Sequence, residues 1–333
     1  GAIWSFQPGA HFGKVYLKTR WIAAAMDAAV RSVLVMAAMM VVAQVGALVM
    51  VGSVLDEEYQ AFEDPNDPLI PVYYAIAMVL FTFAILYIIK KKREDVVRYI
   101  FLGAVAFTIL YVVLAIAVLF DTGILALVFS FAVTGIVTYY LVKKPEWYVI
   151  DTAGILMAIG VIGILGISLQ ILPVLVLLII LAVYDAISVY GTKHMVALAD
   201  GVTQMRLPIL LVIPKHRGYS YLEQKPLKQQ IEEGDEREAM FMGLGDVIIP
   251  GVLVASAYFF LPEMTFGGIT GSLVVAAGAM AGCIAGFAAL MTFVMKGNPQ
   301  AGLPLLNGGT IAGYALTYLL VYGDLSFGMT LPW

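Results

Sequence analysis

Apolar residues run along this chain in stretches about as long as a bilayer is thick, roughly 20 helical residues. Nine such stretches cover residues 32–54, 71–89, 99–120, 124–142, 148–168, 171–192, 241–261, 269–295 and 303–322. Polar residues gather between them. Every backbone amide in lipid must be satisfied within its own segment, so each stretch is expected to be a helix. The fold class that follows is an all-α polytopic membrane protein with nine transmembrane helices. Before the first span, residues 1–31 carry Lys14, Lys18, Arg20 and Arg31 among aromatics and alanines. Their apolar residues never form the continuous core of a signal peptide, and they suit an amphipathic or disordered N-terminal segment at the membrane surface.

Composition agrees: 62% of the 333 residues are hydrophobic, 13% are charged, and the mean hydropathy is +0.94. A soluble domain carries about 25% charged residues. The placement of charge adds what its total does not. All 19 lysines and arginines fall in the N-terminal segment or in the stretches at 90–98, 143–144, 193–240 and 296. The alternate loops hold none, and instead carry "DEEYQAFEDPND" (56–67), Asp121, Glu263 and Asp324. By the positive-inside rule the N-terminus is cytoplasmic and the C-terminus extracellular, in a multi-pass protein of the cell membrane. The expected division is then 1–31, an N-terminal part 32–192 with helices 1–6, a partly mobile cytoplasmic loop 193–240, and a C-terminal part 241–333 with helices 7–9. No basic tract suggests a nucleic-acid partner, and the one cysteine, Cys283 in "GAMAGCIAG", excludes an internal disulfide and reads as a small helix-packing residue.

Against this background two acids stand out. Asp185 lies in "AVYDAISVYG", where an ionised aspartate costs about 3 kcal/mol on insertion scales. It precedes Lys193, at the inner end of its span, by eight residues. In the next span, "REAMFMGLGDVIIPGVL", Asp246 follows Glu238 by eight. If both segments are helical and antiparallel, both carboxylates lie about 12 Å from the same membrane surface. Ser188 and Thr192 fall on the face of Asp185 and could wet a cavity there. Gly243 and Gly245 bare the chain beside Asp246, so that another backbone could approach, and Pro250 predicts a kink that frees the Asp246 carbonyl. Two carboxylates a few ångströms apart cannot both ionise easily and share a proton, so one can act as base and the other as acid. Such a pair can activate water against a peptide carbonyl. It can equally couple ions or protons in a secondary transporter. The three histidines, His11, His194 and His216, form no metal-ligand spacing, and no nucleophile elbow or phosphate-binding loop occurs, so neither metal nor cofactor is expected.

"YD" at 184–185, "GLGD" at 243–246 and "LPLLNGG" at 303–309 resemble, in order and on the sixth, seventh and ninth spans, the three signatures of presenilins and signal peptide peptidases, the Gly-x-Gly-Asp intramembrane aspartyl proteases. "PEWYVID", "LAVYDAISVYGTKHM" and "KGNPQAGLPLLNGG" are very similar to archaeal presenilin homologues. The resemblance implies an aspartic-type endopeptidase that cuts within transmembrane helices, with Asp185 and Asp246 as the catalytic pair and Tyr184, Gly243 and Gly245 as supporting motif residues. Pro304, Leu305 and Leu306 occupy the place of the family's Pro-Ala-Leu element, which helps admit substrate; Leu305 stands where the signature has alanine. Within the family, a cytoplasmic N-terminus is the presenilin orientation. The implied partners are transmembrane-helix substrates and the lipid bilayer, with room for a homo-oligomer.

Four features lie outside these motifs. "LPILLVIP" (207–214) is apolar, too short to span and bounded by prolines. It could be a strand whose edge pairs with an unwound substrate. "EQKPLKQQIEEGDERE" (223–238) is strongly polar and expected to be mobile. Gly278, Gly282 and Gly286 form a small-residue stripe suited to close helix packing. Asp27 and Asp151 fall near inner interfaces and are given no catalytic role. The transporter alternative lacks repeated halves in this sequence, since "GLGD" has no counterpart around Asp185.

Overall fold

The structure, a computed structural model, describes residues 9–91, 94–120, 123–192, 208–216, 218–223, 238–296 and 300–329. Among these residues nine α-helices form, at the nine apolar stretches. They are α1 (Gly9–Ser53), α2 (Ile70–Lys90), α3 (Glu94–Val118), α4 (Ile124–Lys143), α5 (Trp147–Ser168), α6 (Ile171–Ile187), α7 (Leu244–Phe260), α8 (Gly271–Val294) and α9 (Gly302–Tyr322). Six of them, α1, α3, α4, α5, α6 and α8, contain stretches long and apolar enough to cross a membrane. α7 is shorter, at 17 residues, and α9 interrupts its apolar sequence with Asn307, Thr310 and, after its first residue, Gly308, Gly309 and Gly313. α1 is helical from Gly9 onward and continuous with the first span. His194 and the polar tract 224–237 lie outside the described residues.

α5 is the central post. It is buried along 61% of its apolar window, against 22% for the peripheral α4. One side of α5 packs on α1 and α3 and another on α7, where Ala158, Ile162 and Ile167 meet Val247 and Ala255 in a continuous core. A second core joins α6, α7, α8 and α9 through Leu177, Leu178, Val252, Val254, Ala279 and Tyr314.

α8 and α9 pack most closely of all, as the glycine stripe predicted. A side chain at Gly282 would run into the backbone of Gly309 and Gly313, and one at Gly286 into that of Leu305. Without a Cβ, the two backbones meet directly, the arrangement small residues permit in lipid. The stripe therefore fixes the start of α9, where "GLPLLNGG" lies.

The apolar tract after α6 does form a strand. β1 (Leu210–Pro214) pairs antiparallel with β2 (Ala239–Gly243), in a register that matches Leu210 to Gly243 and Pro214 to Ala239. Leu211, Val212 and Ile213 are buried against α5 and the surrounding core. A second, two-residue hairpin, β3 (Thr265–Phe266) with β4 (Ile269–Thr270), joins α7 to α8.

Candidate active site

Asp185 sits in the last turn of α6 and is only 8% exposed. Immediately beyond, Ser188–Thr192 winds as a π-helix. That wider turn, a form common at functional sites, ends the α-helical register just beyond Asp185. Tyr184 lies on the outer surface of α6, half exposed.

Asp246 occupies a different local setting from the one expected. Residues 239–243 are a strand, so Asp246 belongs to the first turn of α7 and does not lie two turns inside a helix. The estimate of a 12 Å helical rise from Glu238 fails for this reason. The apolar period of "AMFMG" is too short to distinguish a strand from a helix end, and pairing with β1 decided the matter. Pro250, which has no N–H for the Asp246 carbonyl, lies inside α7. α7 runs from Leu244 to Phe260 through Pro250, and the strand passes into it at Gly243, whose backbone is extended. Among the described residues no other backbone crowds Gly243 or Gly245. A side chain at Gly243 would meet the Asp246 carboxylate itself, and space beside Gly245 is open among the described residues.

The close backbone approach comes from α9. Its first residue, Gly302, lies so near Asp246 that a methyl group there would sit 3.3 Å from both carboxylate oxygens. Its second, Leu303, donates its amide to Asp185 Oδ2 at 3.0 Å, and the Gly302 amide also faces that carboxylate. The start of α9 is thus wedged between the two acids. The unpaired amides of a helix N-terminus are natural partners for a carboxylate.

Pro304 and Leu305 follow, half-buried, while Leu306 is fully buried in the core. Two further side chains hold this arrangement and were not singled out in the sequence. Asn307, buried, donates Nδ2 to the Leu178 carbonyl of α6 at 2.9 Å. Asn307 is one turn beyond Leu303 and Leu178 two turns before Asp185, so α6 and α9 are joined twice along one seam. Tyr190, on the π-helix, donates its hydroxyl to Gln300 Oε1 at 2.5 Å and accepts the Ala301 amide at 3.4 Å. A lone Asn in a Gly-rich motif signals little, and a Tyr at a span's end usually reads as an interfacial anchor. Behind the site, Cys283 is buried as expected and receives the Gln44 amide at 3.5 Å. Among the described residues no group of three His, Cys, Asp or Glu side chains gathers as metal ligands would.

Residues 37–322 match the family described as signal-peptide peptidase, presenilin aspartyl protease. The chain belongs to that family. No curated protein matches the sequence. Two crystal structures, each of a presenilin family intramembrane aspartate protease, are similar to it. One, in space group C222, is 34% identical, with 85% of this chain and 97% of that chain covered at a TM-score of 0.59. The other, in P2, is 33% identical, with 86% and 98% covered at 0.60. This presenilin-family chain is therefore an aspartic-type intramembrane-cleaving endopeptidase and a multi-pass membrane protein, and the transporter alternative falls away.

Proposed function

We propose that Asp185 and Asp246 are the catalytic dyad of this protease, and that they hydrolyse peptide bonds within transmembrane helices by activating water. The observation that carries this reading is the wedge of α9 between them: Leu303 donates to Asp185, and Gly302 lies against Asp246. The amide donated to Asp185 suits an ionised carboxylate, whereas Asp246 receives no hydrogen bond from a described residue and is left to hold the shared proton. Asp185 then takes a proton from water as the water oxygen attacks the peptide carbon. Asp246 gives its proton to the carbonyl oxygen as the centre becomes tetrahedral. In the second half, Asp185 returns its proton to the departing nitrogen and Asp246 recovers one from the gem-diol, so the C–N bond breaks and the dyad is restored.

A membrane helix hides its peptide bonds in its own hydrogen bonds, so it must unwind locally before it is cut. The edge of the β1–β2 sheet offers partners for the freed groups, by strand addition. β2 ends at Gly243 and leads on to Gly245 and Asp246, and the space beside Gly245, open among the described residues, would take an extended backbone. Pro304 and Leu305, half-buried at the start of α9, would line the opposite side, with Leu306 anchoring them to the core. With the N-terminus cytoplasmic, in the presenilin orientation that the charge distribution favours, the protein would act in the cell membrane on transmembrane substrates near their inner ends.

The test is cleavage of a reporter transmembrane helix by purified protein in detergent, with products identified by mass spectrometry. Wild type is expected to cut within the helix. Asp185→Asn and Asp246→Asn should each lose about 10³-fold or more, in line with losing a group that acts as acid and base. Retention of activity by either variant rejects the dyad.

A further inference from the structure

Asp151 was expected to be a cheap acid near an interface, yet it is only 4% exposed, and it touches the sheet. α5 meets that sheet and its connection with two carboxylates. Glu146, at the start of α5, accepts the Ser220 hydroxyl at 2.8 Å and the Tyr221 amide at 3.0 Å. Five residues on, Asp151 Oδ1 accepts the Val212 amide at 2.7 Å.

The strand register shows what that bond does. The Leu244 amide reaches the Ile209 carbonyl at 2.9 Å, and the Lys215 amide reaches the Glu238 carbonyl at 2.9 Å. In an antiparallel pair the residues that face the partner alternate. Leu211 and Ile213 therefore turn their amides toward β2, and Leu210 and Val212 turn theirs away. Asp151 takes the Val212 amide, and Pro214 has none to offer. Of the outward amides of β1, only that of Leu210, at the start of the strand, is left. The corresponding groups of β2 belong to Ala239, Phe241 and Gly243, and their amides have no partner among the described residues. That edge ends three residues before Asp246.

A buried carboxylate is a costly way to satisfy one amide. The cost is plainer here because Asp151 Oδ2 finds no partner among the described residues. An apolar seat would support a sheet that only needed support. We infer that Asp151 is a positioning residue for proteolysis: by taking the central outward amide of β1 it holds the sheet on α5 and leaves the β2 edge, which leads to Asp246, as the one open along its length to substrate. This rests on the strand-addition reading given above.

The experiment measures kcat, KM and the bonds cut in the reporter helix for variants of Asp151 and of the two strands. Asp151→Asn keeps an acceptor oxygen for Val212, whereas Asp151→Leu removes it at similar volume. Asn is expected to cut the wild-type bonds with KM within about twofold. Leu should raise KM about tenfold and scatter the cuts over neighbouring bonds, with kcat little changed, as loss of alignment predicts. Wild-type KM and cut sites in the Leu variant would overturn the inference, as would equal damage from Asn and Leu. Should the Leu variant not fold, Val212→Pro deletes the same hydrogen bond from the strand side and spares the bonds to β2; wild-type cutting by it is equally fatal. Phe241→Pro, run alongside, separates this inference from its foundation. If Phe241→Pro also cuts normally, strand addition at β2 is wrong. If Phe241→Pro alone is impaired, strand addition stands and the role of Asp151 falls.

Discussion

At Gly302 one missing methyl group decides how near α9 can come to Asp246. The 3.3 Å left to each carboxylate oxygen is tight for a carbon, so Gly302→Ala must push either the carboxylate or the start of α9 aside by a few tenths of an ångström. Because Leu303 is the next residue, the same displacement strains its 3.0 Å bond to Asp185. Both acids are therefore disturbed by a change that touches neither chemically. Misplacing reacting groups by an ångström costs about 10²-fold in rate. Gly302→Ala should cost between tenfold and that, and Gly302→Val more, measured as kcat on the reporter helix. Stability should move the other way or hardly at all, since alanine is the better helix former by about 1 kcal/mol. Unaltered kcat in Gly302→Val would show that α9 does not set the geometry of the pair. Asn307→Leu makes a related point. Loss of its bond to the Leu178 carbonyl should lower stability by about 1 kcal/mol, read from thermal unfolding in detergent, and reduce kcat by loosening the same seam. Were kcat to hold while stability fell, Asn307 would serve only to pack α6 on α9.

Among the elements, the strands separate readings that the residues cannot. Phe241→Pro removes an amide from the outward edge of β2 and leaves the pairs at 211–242 and 213–240 intact, whereas Met242→Pro breaks the ladder to β1. If substrate is captured at that edge, Phe241→Pro should raise KM about tenfold with the sheet preserved, and Met242→Pro should lower thermal stability as well. Equal behaviour of the two would mean that only the intact hairpin matters. How these elements could be read from sequence depends on how local their causes are. The nine helices were legible because lipid leaves a long apolar segment no other backbone structure. The stripe at Gly278, Gly282 and Gly286 announced its close packing for the same reason. "LPILLVIP" was legible as a strand by its length and its prolines, but its partner was not, because β2 looks like the first turn of the seventh span. The π-helix after Ile187 leaves no trace in the pattern, and the wedge of α9 between the acids depends on contacts over more than 50 residues of sequence. The two acids themselves were conspicuous through their cost in lipid, and Asp151, whose partner is a strand amide, was passed over because proximity to a span's end made it look inexpensive.

For the molecule as a whole, orientation is the property on which substrate choice turns. With all 19 basic residues on one set of segments, reversal would carry every one of them across the bilayer and leave the acidic tract 56–67 facing the cytoplasm. Insertion resists that exchange, because lysine and arginine in short loops are retained on the cytoplasmic side. The chain supplies its own control for a direct measurement. Its single cysteine is fully buried in the packed helices, so a membrane-impermeant maleimide should leave the unaltered protein unlabelled in sealed cells or vesicles. One cysteine introduced at Glu58, exposed between α1 and α2, should then label from outside. One at His216, exposed after β1 and more than half accessible, should label only when the membrane is opened. The opposite pattern would place the β1–β2 sheet outside the cell. Both strands and both acids would then meet substrates from the extracellular side, and the presenilin orientation proposed here would have to be exchanged for the inverted one, with the dyad chemistry unaffected.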